Sequence, residues 1–475
     1  MSKPYFCTER KVRYALVAVS VILLLLWMHS RWDVWFAMPD EPPYVASAKP
    51  YRVMLTFGDG TELTRNVSWQ CGDSVETAFV ELERHSHVDG GCCDGEQADT
   101  AWTTPVRIAA SGEVFESRSG RAAYYVARLR QLDWDACYRY RVCTGGRYSS
   151  WHTFVMPSHA RAHVSFIYIG DVQDTIRGAA NGLLREAFRR HPDAECLVCG
   201  GDMTERPSDN YWAETFRALD GIRQSMPVLC ATGNHDYLKG IPLRLERRFS
   251  LVFSYFLDSM VGENQVFSQR LGDVELFVLD SNREANYLLA QRRWLDERLA
   301  QSTARWKILV VHHPLFSIKG STQNIVERWM FNDVVEAGGV DLVLQGHEHA
   351  YARMTRHVDG VATTPVYTVS HCSPKNYRIE FDERFDKFGI SSRYYQTVRI
   401  CGDTLQLAAY EVYGHTLYDS LAIIKHAGER PTIVDEGRSI PEYMEYTPDP
   451  QKKKEVEFAR RISEYCKRHP ERLAR

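Results

Sequence analysis

The distribution of hydrophobic and polar positions divides the chain into three stretches. An uninterrupted apolar run, YALVAVSVILLLLWM, covers residues 14–28. Between residues 48 and 157, short runs alternate hydrophobic and polar residues and are separated by turn signals such as Asp59-Gly60, which is the pattern of an all-β sandwich. After Pro157, strand-like apolar runs alternate with helix-like ones. This order predicts an α/β layered domain.

The apolar run at residues 14–28 predicts an N-terminal membrane anchor. It is slightly shorter than the roughly 20 residues that a membrane span prefers. Basic residues precede it, which predicts that residues 1–13 stay in the cytoplasm and that the rest is translocated. A cleaved signal peptide is the alternative, but the small-residue site VASA at residues 45–48 lies far beyond the run. We therefore expect an uncleaved anchor, a linker over residues 29–47 and an extracytoplasmic (periplasmic or extracellular) protein, which would be secreted if the segment were cleaved.

Composition and charge narrow the class of protein. The chain is 44% hydrophobic and 25% charged, as in ordinary globular proteins, and its 475 residues suggest two or three domains. A formal net charge of −3 gives no reason to expect a nucleic-acid partner. The tail at residues 429–475 contains a predicted helix at 451–468, in which Val456, Ala459 and Ile462 recur at helical spacing. Nothing in these numbers indicates an oligomeric state or a substrate.

The twelve cysteines do not form a regular disulfide framework. Cys137 and Cys143 lie six apart on one predicted strand, which is too far for them to pair with each other. Cys196, Cys199 and Cys230 lie in apolar strand runs, which predicts buried thiols. The adjacent cysteines at 92–93 remain unassigned.

Polar residues of metal-ligand type stand where the predicted strands of the α/β domain end. In open α/β sheets, sites form outside the carboxyl ends of the strands. The candidates are Asp171 in IGDVQD, Asp202 in GGDMTE, Asn234 and His235 in GNHD, His312 in VHHP, and His347 and His349 in QGHEH.

Each candidate taken alone has an ordinary structural explanation. An aspartate after a strand often caps the next helix, and a single histidine is more often a satisfied core or surface residue. The sequence GNHD is more specific, because Asn234 and His235 are poor packing residues after a buried strand. Together, the carboxylate, amide and imidazole groups predict a site for two first-row metals such as Zn, Mn or Fe, and not an all-oxygen calcium site.

The ordered blocks GD, GD, GNHD, HHP and GHEH, over residues 165–353, resemble those of the calcineurin-like metallophosphoesterase superfamily. Within it the chain is similar to the purple-acid-phosphatase branch. The preceding β-sandwich, the block GHEHAYAR with Tyr351 and Arg353, and the β-rich end near 395–407 carry that resemblance. It implies a fibronectin-III-like domain at 48–157, then a layered β-sandwich phosphoesterase domain at 158–428 with mixed sheets flanked by helices.

The resemblance also implies a role for each candidate. Asp202 would bridge two divalent or mixed-valence metal ions. Asp171 and His349 would complete one ion, with Gln173 as an additional candidate, and Asn234, His312 and His347 would complete the other. His235 would act as general acid towards the leaving group.

Three further residues have weaker assignments. Lys319 and His313 are candidates for substrate contact, although Lys319 can equally be a solvated loop lysine. Asp280, at the end of the run VELFVLD, would either support a ligand or cap the next helix.

Two positions depart from the branch pattern. Glu205 stands where the branch has the tyrosine that gives a purple ferric centre, and Gln173 stands where the branch tends to have glycine and other superfamily members have histidine. We therefore expect a non-purple relative.

The implied activity is hydrolysis of phosphate esters by an acid-phosphatase-like phosphomonoesterase, in which hydroxide attacks phosphorus in line. A phosphodiesterase or nucleotide pyrophosphatase with the same metals stays open. The type of ester depends on the pocket walls, and these are built by loops without a periodic pattern, at 205–212, 237–250 and 372–392. A degenerate, membrane-tethered binding protein is a further alternative. The presence of every core ligand type argues against it.

Overall fold

The computed structural model describes residues 5–85, 102–257, 261–262, 265–320 and 323–473. The chain begins with helices α1 (Tyr5–Ser30) and α2 (Trp32–Phe36). Residues Val12–Ser30 have a mean hydropathy of 2.0 and are long and apolar enough to cross a membrane, a test that a signal sequence also passes. Helix α1 is thus longer than the predicted 14–28, and α2 occupies part of the predicted linker.

An all-β domain follows. Its strands are β1 (Tyr51–Phe57), β2 (Arg65–Gln70), β3 (Ala78–Arg84), β4 (Val106–Glu116), β5 (Arg121–Leu129), β6 (Cys137–Thr144), β7 (Arg147–Tyr148) and β8 (His152–Val155). Strand β4 pairs with β5 and also with β3, so it joins the two faces of the sandwich. Alternate residues of β6, Tyr138, Tyr140 and Val142, point into the core beside Trp69.

The cysteines follow the sequence prediction where the structure describes them. Cys143, Cys196, Cys199 and Cys230 are free and buried. Cys137 is disulfide-bonded. The unassigned pair at 92–93 lies outside the described residues.

The second domain alternates strands and helices. Its strands are β9 (Val164–Ile169), β10 (Leu197–Cys199), β11 (Val228–Cys230), β12 (Tyr237–Leu238), β13 (Arg244–Leu245), β14 (Phe267–Leu271), β15 (Val274–Val278), β16 (Trp306–Val311), β17 (Leu342–Gln345), β18 (Tyr351–Val358), β19 (Val361–Val369), β20 (Lys387–Gly389), β21 (Tyr394–Cys401), β22 (Thr404–Glu411), β23 (Thr416–Ile424) and β24 (Thr432–Asp435). Its helices are α3 (Ala180–Arg190), α4 (Asp209–Ala218), α5 (Arg247–Val252), α6 (Ala285–Gln301), α7 (Ile325–Ala337) and α8 (Lys453–Arg468).

Two mixed sheets form the layers of this domain. One runs β24-β23-β22-β21-β9-β10-β11, and the other runs β14-β15-β16-β17-β19-β18-β20. Strands β9, β10 and β11 are parallel, and so are β15, β16, β17 and β19. Their runs are buried almost throughout, as expected of parallel strands covered on both faces. The predicted fold class, mixed sheets flanked by helices behind an all-β domain, is confirmed.

The two domains share a continuous sheet. Strand β1 of the sandwich pairs in parallel with β11, with Thr56 opposite Val228. The sandwich therefore extends the sheet that carries β9, β10 and β11.

Helix α8 covers the second sheet with a different face from the predicted one. Phe458, Ile462 and Tyr465 are its buried residues, whereas Val456 is exposed. The prediction of a packed helix holds, but the predicted stripe was wrong at Val456 because the larger aromatic side chains turn inward.

Candidate metal centre

The predicted site residues lie in segments that leave the carboxyl ends of parallel strands. These segments carry Asp171 and Gln173 after β9, Asp202 after β10, Asn234 and His235 after β11, His312 and His313 after β16, and His347 and His349 after β17. The first three strands belong to one sheet and the last two to the other. The edges of the two sheets therefore build this region together.

One group of side chains surrounds the carboxamide oxygen of Asn234. His347 Nδ1 lies 2.8 Å and His312 Nε2 lies 3.1 Å from Asn234 Oδ1. His312 Nε2 is also 3.4 Å from Asp202 Oδ2. Imidazole nitrogens, an amide oxygen and a carboxylate oxygen thus share one small space, and this mixed donor set suits a first-row transition metal.

A second group contains Asp171 and His349. Asp171 Oδ2 and His349 Nε2 lie 2.9 Å apart, yet both buried atoms lack a hydrogen-bond partner. Gln173 is close, with Nε2 3.4 Å from Asp202 Oδ2 and with Oε1 unpartnered. Buried polar atoms are seldom left without a partner, because losing water costs free energy. A cation would satisfy these atoms, so the residues present fit a pair of metal ions.

The electrostatics of the site also favour cations. Burial lowers the pKa of His312, but the charges of Asp202 and Asp171 outweigh burial and raise it to about 9. Burial raises the pKa of Asp202, and the neighbouring charge of His312 reverses the shift and holds that pKa well below its usual range. His312 Nδ1 lies 2.8 Å from Gly200 O. Donation to this carbonyl fixes the proton on Nδ1, so Nε2 is the nitrogen that would bind a metal once it has lost its own proton.

Main-chain amides orient the two carboxylates. His235 N donates to Asp202 Oδ1 at 2.7 Å, and His347 N donates to Asp171 Oδ1 at 2.7 Å. Each carboxylate accepts a main-chain hydrogen bond at Oδ1, which leaves Oδ2 directed towards the other candidate ligands. The close approach requires glycine at 346, since a Cβ there would lie 2.4 Å from Asp171 Oδ1.

The backbone is strained at three of these positions. Gln173, Asp202 and His347 have φ angles of 32°, 51° and 67°, in the left-handed region. Each such residue costs on the order of 1–3 kcal/mol, and such residues concentrate at functional sites. The amides of Val172 and Gln173 both donate to Asp202 O at 3.2 Å. This holds the segments after β9 and β10 together in spite of the strain.

His235 is held beside the candidate ligands by a main-chain contact. Its Nδ1 lies 2.6 Å from Glu205 O, so Nδ1–H donates to that carbonyl and Nε2 is left for a substrate. The Glu205 carboxylate forms an ion pair with Lys375. Glu205, which stands where the purple-acid-phosphatase branch has tyrosine, is thus paired with a cation.

His313 and Lys319 lie close to the site but contact different neighbours. His313 Nδ1 is 2.9 Å from Ser281 Oγ, and its ring centroid is 4.4 Å from that of His347. Burial lowers the pKa of His313 to about 3, so this ring is neutral. Lys319 Nζ lies 4.8 Å from the ring centre of Tyr377, as a cation over an aromatic face.

Two buried carboxylates outside the candidate ligand set tie the loops together. Asp280 accepts from Thr232 Oγ1 at 2.7 Å and from the Tyr237 hydroxyl. Glu348, between the two histidines of GHEH, accepts from Ile318 N at 2.7 Å. Asp280 therefore braces the segment after β11.

Sequence reasoning missed two aromatic residues next to His349. The Tyr377 ring stacks on His349 at 4.2 Å between centroids, and the buried His371 ring lies 5.4 Å away in a nearly parallel plane. His371 follows strand β19 as the candidate ligands follow theirs, so the same strand-end rule could have found it. Tyr377 lies in an aperiodic loop that gave no such signal.

Comparison with protein families gives two matches. Residues 164–351 match the family described as calcineurin-like phosphoesterase. Residues 50–156 match the purple acid phosphatase N-terminal domain. The two matches follow each other along the chain and cover the all-β domain and every candidate metal ligand.

Individual relatives are distant. Purple acid phosphatase 17 of Arabidopsis thaliana is 24% identical over 306 residues, which is 56% of this chain and 86% of that protein. Purple acid phosphatase 18 of the same plant is 24% identical over 66% of this chain and 68% of its own length. Among solved structures, purple acid phosphatase PPD1 from yellow lupin (Lupinus luteus) seeds aligns with a TM-score of 0.63 and 16% identity, over 79% of this chain and 74% of that one. PhoD aligns with a TM-score of 0.58 and 14% identity, over 90% and 100%.

Proposed function

We propose, for a chain that carries a calcineurin-like phosphoesterase domain behind a purple acid phosphatase N-terminal domain, that it hydrolyses phosphate monoesters at a two-metal centre. The chain is a phosphoesterase of the purple-acid-phosphatase-like type. The observation that carries the two-metal proposal is the pair Asp171 Oδ2 and His349 Nε2. These buried atoms lie 2.9 Å apart without a hydrogen-bond partner, beside a second donor group around Asn234.

The residues that would hold the ions divide into two sets. Asp202 would serve both ions, because its Oδ2 lies between the His312 ring and the Gln173 amide, 3.4 Å from each. Asp171 and His349 would complete one set, with Gln173 as a further donor. Asn234, His312 and His347 would complete the other set. When bound, two ions such as Mn, Zn or Fe would neutralise the anionic ester and supply a nucleophilic water near neutral pH.

His235 would supply the proton that the leaving alkoxide needs. Its Nδ1–H is committed to Glu205 O, so the exchangeable proton resides on Nε2. The main-chain amide of His235 is fixed to Asp202 Oδ1, which keeps the imidazole next to the bridging carboxylate. His313, next to His347, and Lys319, over the ring of Tyr377, would contact the substrate.

The N-terminal helix would remain as an anchor. Glu41 is buried, and its Oε1 accepts from Arg248 Nη1 and from Asp209 N, both at 2.7 Å. Cleavage at residues 45–48 would remove Glu41 and leave the buried Arg248 with one carboxylate fewer, which costs stability. With the helix retained, the basic N-terminus would favour a catalytic domain outside the cytoplasm. A mature chain that begins near residue 49 would contradict the anchor and indicate secretion.

The activity is tested with the full chain in detergent, stripped of metal and refilled separately with Mn, Zn or Fe. A chromogenic phosphomonoester and its diester analogue are compared. We expect metal-dependent turnover that favours the monoester and disappears in His347→Ala. Turnover that favours the diester would make the chain a phosphodiesterase. No turnover with any metal would contradict the proposal.

A further inference from the structure

The segment between the apolar helix and the domains is fixed to the protein surface. Besides the burial of Glu41, Pro39 O accepts from Arg118 Nη1 at 2.6 Å, and Pro42 O accepts from Ser119 Oγ at 3.0 Å. These contacts involve the β4–β5 turn, whereas Glu41 contacts helices α4 and α5. The point at which the chain leaves the domains towards the helix is therefore defined.

The β12–β13 hairpin, residues 238–245, lies at that point. Lys239 N contacts Met38 Sδ at 3.2 Å. At the tip, Ile241 is 86% exposed and Leu243 is also exposed. The basic side chains of Lys239 and Arg244 flank the tip and face solvent. Apolar residues bordered by basic ones are the composition that binds the surface of a bilayer with anionic lipids.

The hairpin is close to the end of the apolar helix. Residues 31–38 separate Ser30 from the contact at Met38, and part of them forms α2, so this stretch spans roughly 20 Å or less. In α2, Trp32 is exposed and its ring lies 4.5 Å from that of Phe36. Such aromatic residues favour the membrane interface. A bilayer that holds α1 therefore comes within reach of the tip.

The hairpin also borders the candidate metal centre. It follows the turn at Asn234–Asp236 directly, and Leu243 N donates to Glu284 Oε1 at 2.9 Å, in the segment after β15. Helix α7, which follows strand β16 as the hairpin follows β11, also exposes Ile325 and Trp329, and Trp329 is 78% exposed. A single exposed isoleucine is ordinary. An exposed apolar pair between two basic residues, next to both the site and the segment that leads to α1, is less ordinary.

We propose that the hairpin at 238–245 rests on the bilayer that holds the N-terminal helix and turns the metal centre towards it, so that the enzyme acts on phosphate monoesters carried by membrane lipids. The membrane contact rests on the anchor, and the choice of substrate rests on the proposed phosphoesterase function.

The membrane contact is measured by fluorescence, independently of activity. The full chain with Cys7, Cys401 and Cys466 changed to serine receives a polarity-sensitive fluorophore at Ile241→Cys, or at the control Val361→Cys. It is reconstituted into vesicles of phosphatidylcholine and phosphatidylglycerol. Val361 is exposed but begins β19, at the opposite edge of its sheet. We expect nitroxide headgroup lipids to quench the probe at 241 and not at 361. Equal, weak quenching at both positions would overturn the membrane contact.

The substrate class is measured in the same vesicles with phosphatidic acid as the lipid monoester and a soluble chromogenic monoester as reference. Ile241→Asp/Leu243→Asp should lower the turnover of phosphatidic acid by about tenfold or more, since two apolar contacts with the bilayer are lost. Because residues 237–250 also border the pocket, the result is taken from the ratio of the two rates. Turnover of phosphatidic acid should fall relative to turnover of the soluble ester, and Val361→Asp should change neither rate. Equal rates for the double variant and the wild type on phosphatidic acid would overturn the lipid substrate. If the wild type hydrolyses neither ester, the phosphoesterase proposal fails with it, and the quenching still decides the membrane contact.

Discussion

His235 is the residue whose removal should separate catalysis from metal binding. It contacts Asp202, the proposed bridging carboxylate, through its main-chain amide, so His235→Ala should leave the metal content intact. The turnover number should fall by about 10²- to 10⁴-fold, the usual cost of losing a general acid. Turnover and bound metal are measured on the same samples, with the exposed His159→Ala as control. Wild-type turnover, or loss of metal in His235→Ala, would contradict the assignment.

The residue at position 205, a glutamate, leads to a prediction about the visible absorption spectrum. A carboxylate paired with Lys375 occupies the branch tyrosine position, so the iron-loaded chain should lack the visible absorption of an iron–tyrosinate bond. Absorption spectra of iron-loaded and zinc-loaded chain test this. Tyr377 is the tyrosine that stacks on His349. A visible band that vanishes in Tyr377→Phe would contradict the prediction and place that tyrosine at the metal.

Glu195 should make stability depend on pH, away from the metal centre. Burial raises the pKa of Glu195 to about 7 from 4.5, although Arg161 lies 3.1 Å away. A carboxyl whose pKa is raised on folding contributes stability below the pKa that it has in the unfolded chain. This stability is lost as pH rises through the pKa that it has in the folded protein. Its side chain is 23% exposed, and the loss between about pH 4.5 and 7 should reach up to about 3 kcal/mol.

Thermal unfolding at about pH 5 and about pH 8 measures this effect. The stability of the wild type relative to Glu195→Gln should fall between the two pH values. A wild type that gains stability relative to Glu195→Gln over this window would contradict the sign.

At the scale of strands and helices, the strand ends were predictable and the loops were not. Each candidate ligand follows a short apolar run, so local pattern alone made Asp171 and Asp202 candidates, and the family resemblance selected His312 over His313. The hydrogen bond from His235 to Glu205 and the stacking of Tyr377 on His349 join segments far apart in sequence. No periodic pattern encodes such contacts, and the pocket walls could not be inferred from the sequence for that reason.

Arg353 on strand β18 links the two sheets, and its substitution tests how they are held together. Arg353 is fully buried and donates to Asp419 Oδ2 on β23 and to Asp435 Oδ1 on β24, both at 2.7 Å. Arg353→Met would leave these carboxylates short of a partner, and the free energy of unfolding should fall by about 3–5 kcal/mol. Arg356→Met on the same strand removes a partly exposed pair with Glu336 and should cost about 0–1 kcal/mol.

Denaturant titrations of the two variants give the comparison. Similar losses for Arg353→Met and Arg356→Met would contradict the view that the Arg353 cluster links the sheets. The sequence marked Arg353 only as part of the block GHEHAYAR, and its buried partners on β23 and β24 became visible only in the fold.

For the whole molecule, the order of the domains could be predicted from the sequence, but the contacts between the domains could not. The change from alternating strands to strand–helix alternation predicted an all-β unit before an α/β unit. The parallel pairing of β1 with β11, and the burial of Glu41 against Arg248, connect regions that are remote along the chain. They make the sandwich and the linker parts of one structure with the catalytic domain, which fixes where the segment after the apolar helix lies relative to the candidate metal centre.

The central claim, a two-metal centre bridged by Asp202, is tested most directly by counting metal ions per chain with native mass spectrometry. The wild type, refilled with Mn or Zn, should bind two. His349→Ala should keep one, and Asp202→Asn should lose both or hold them only weakly. One ion or none in the wild type, or two firmly bound ions in Asp202→Asn, would contradict the account.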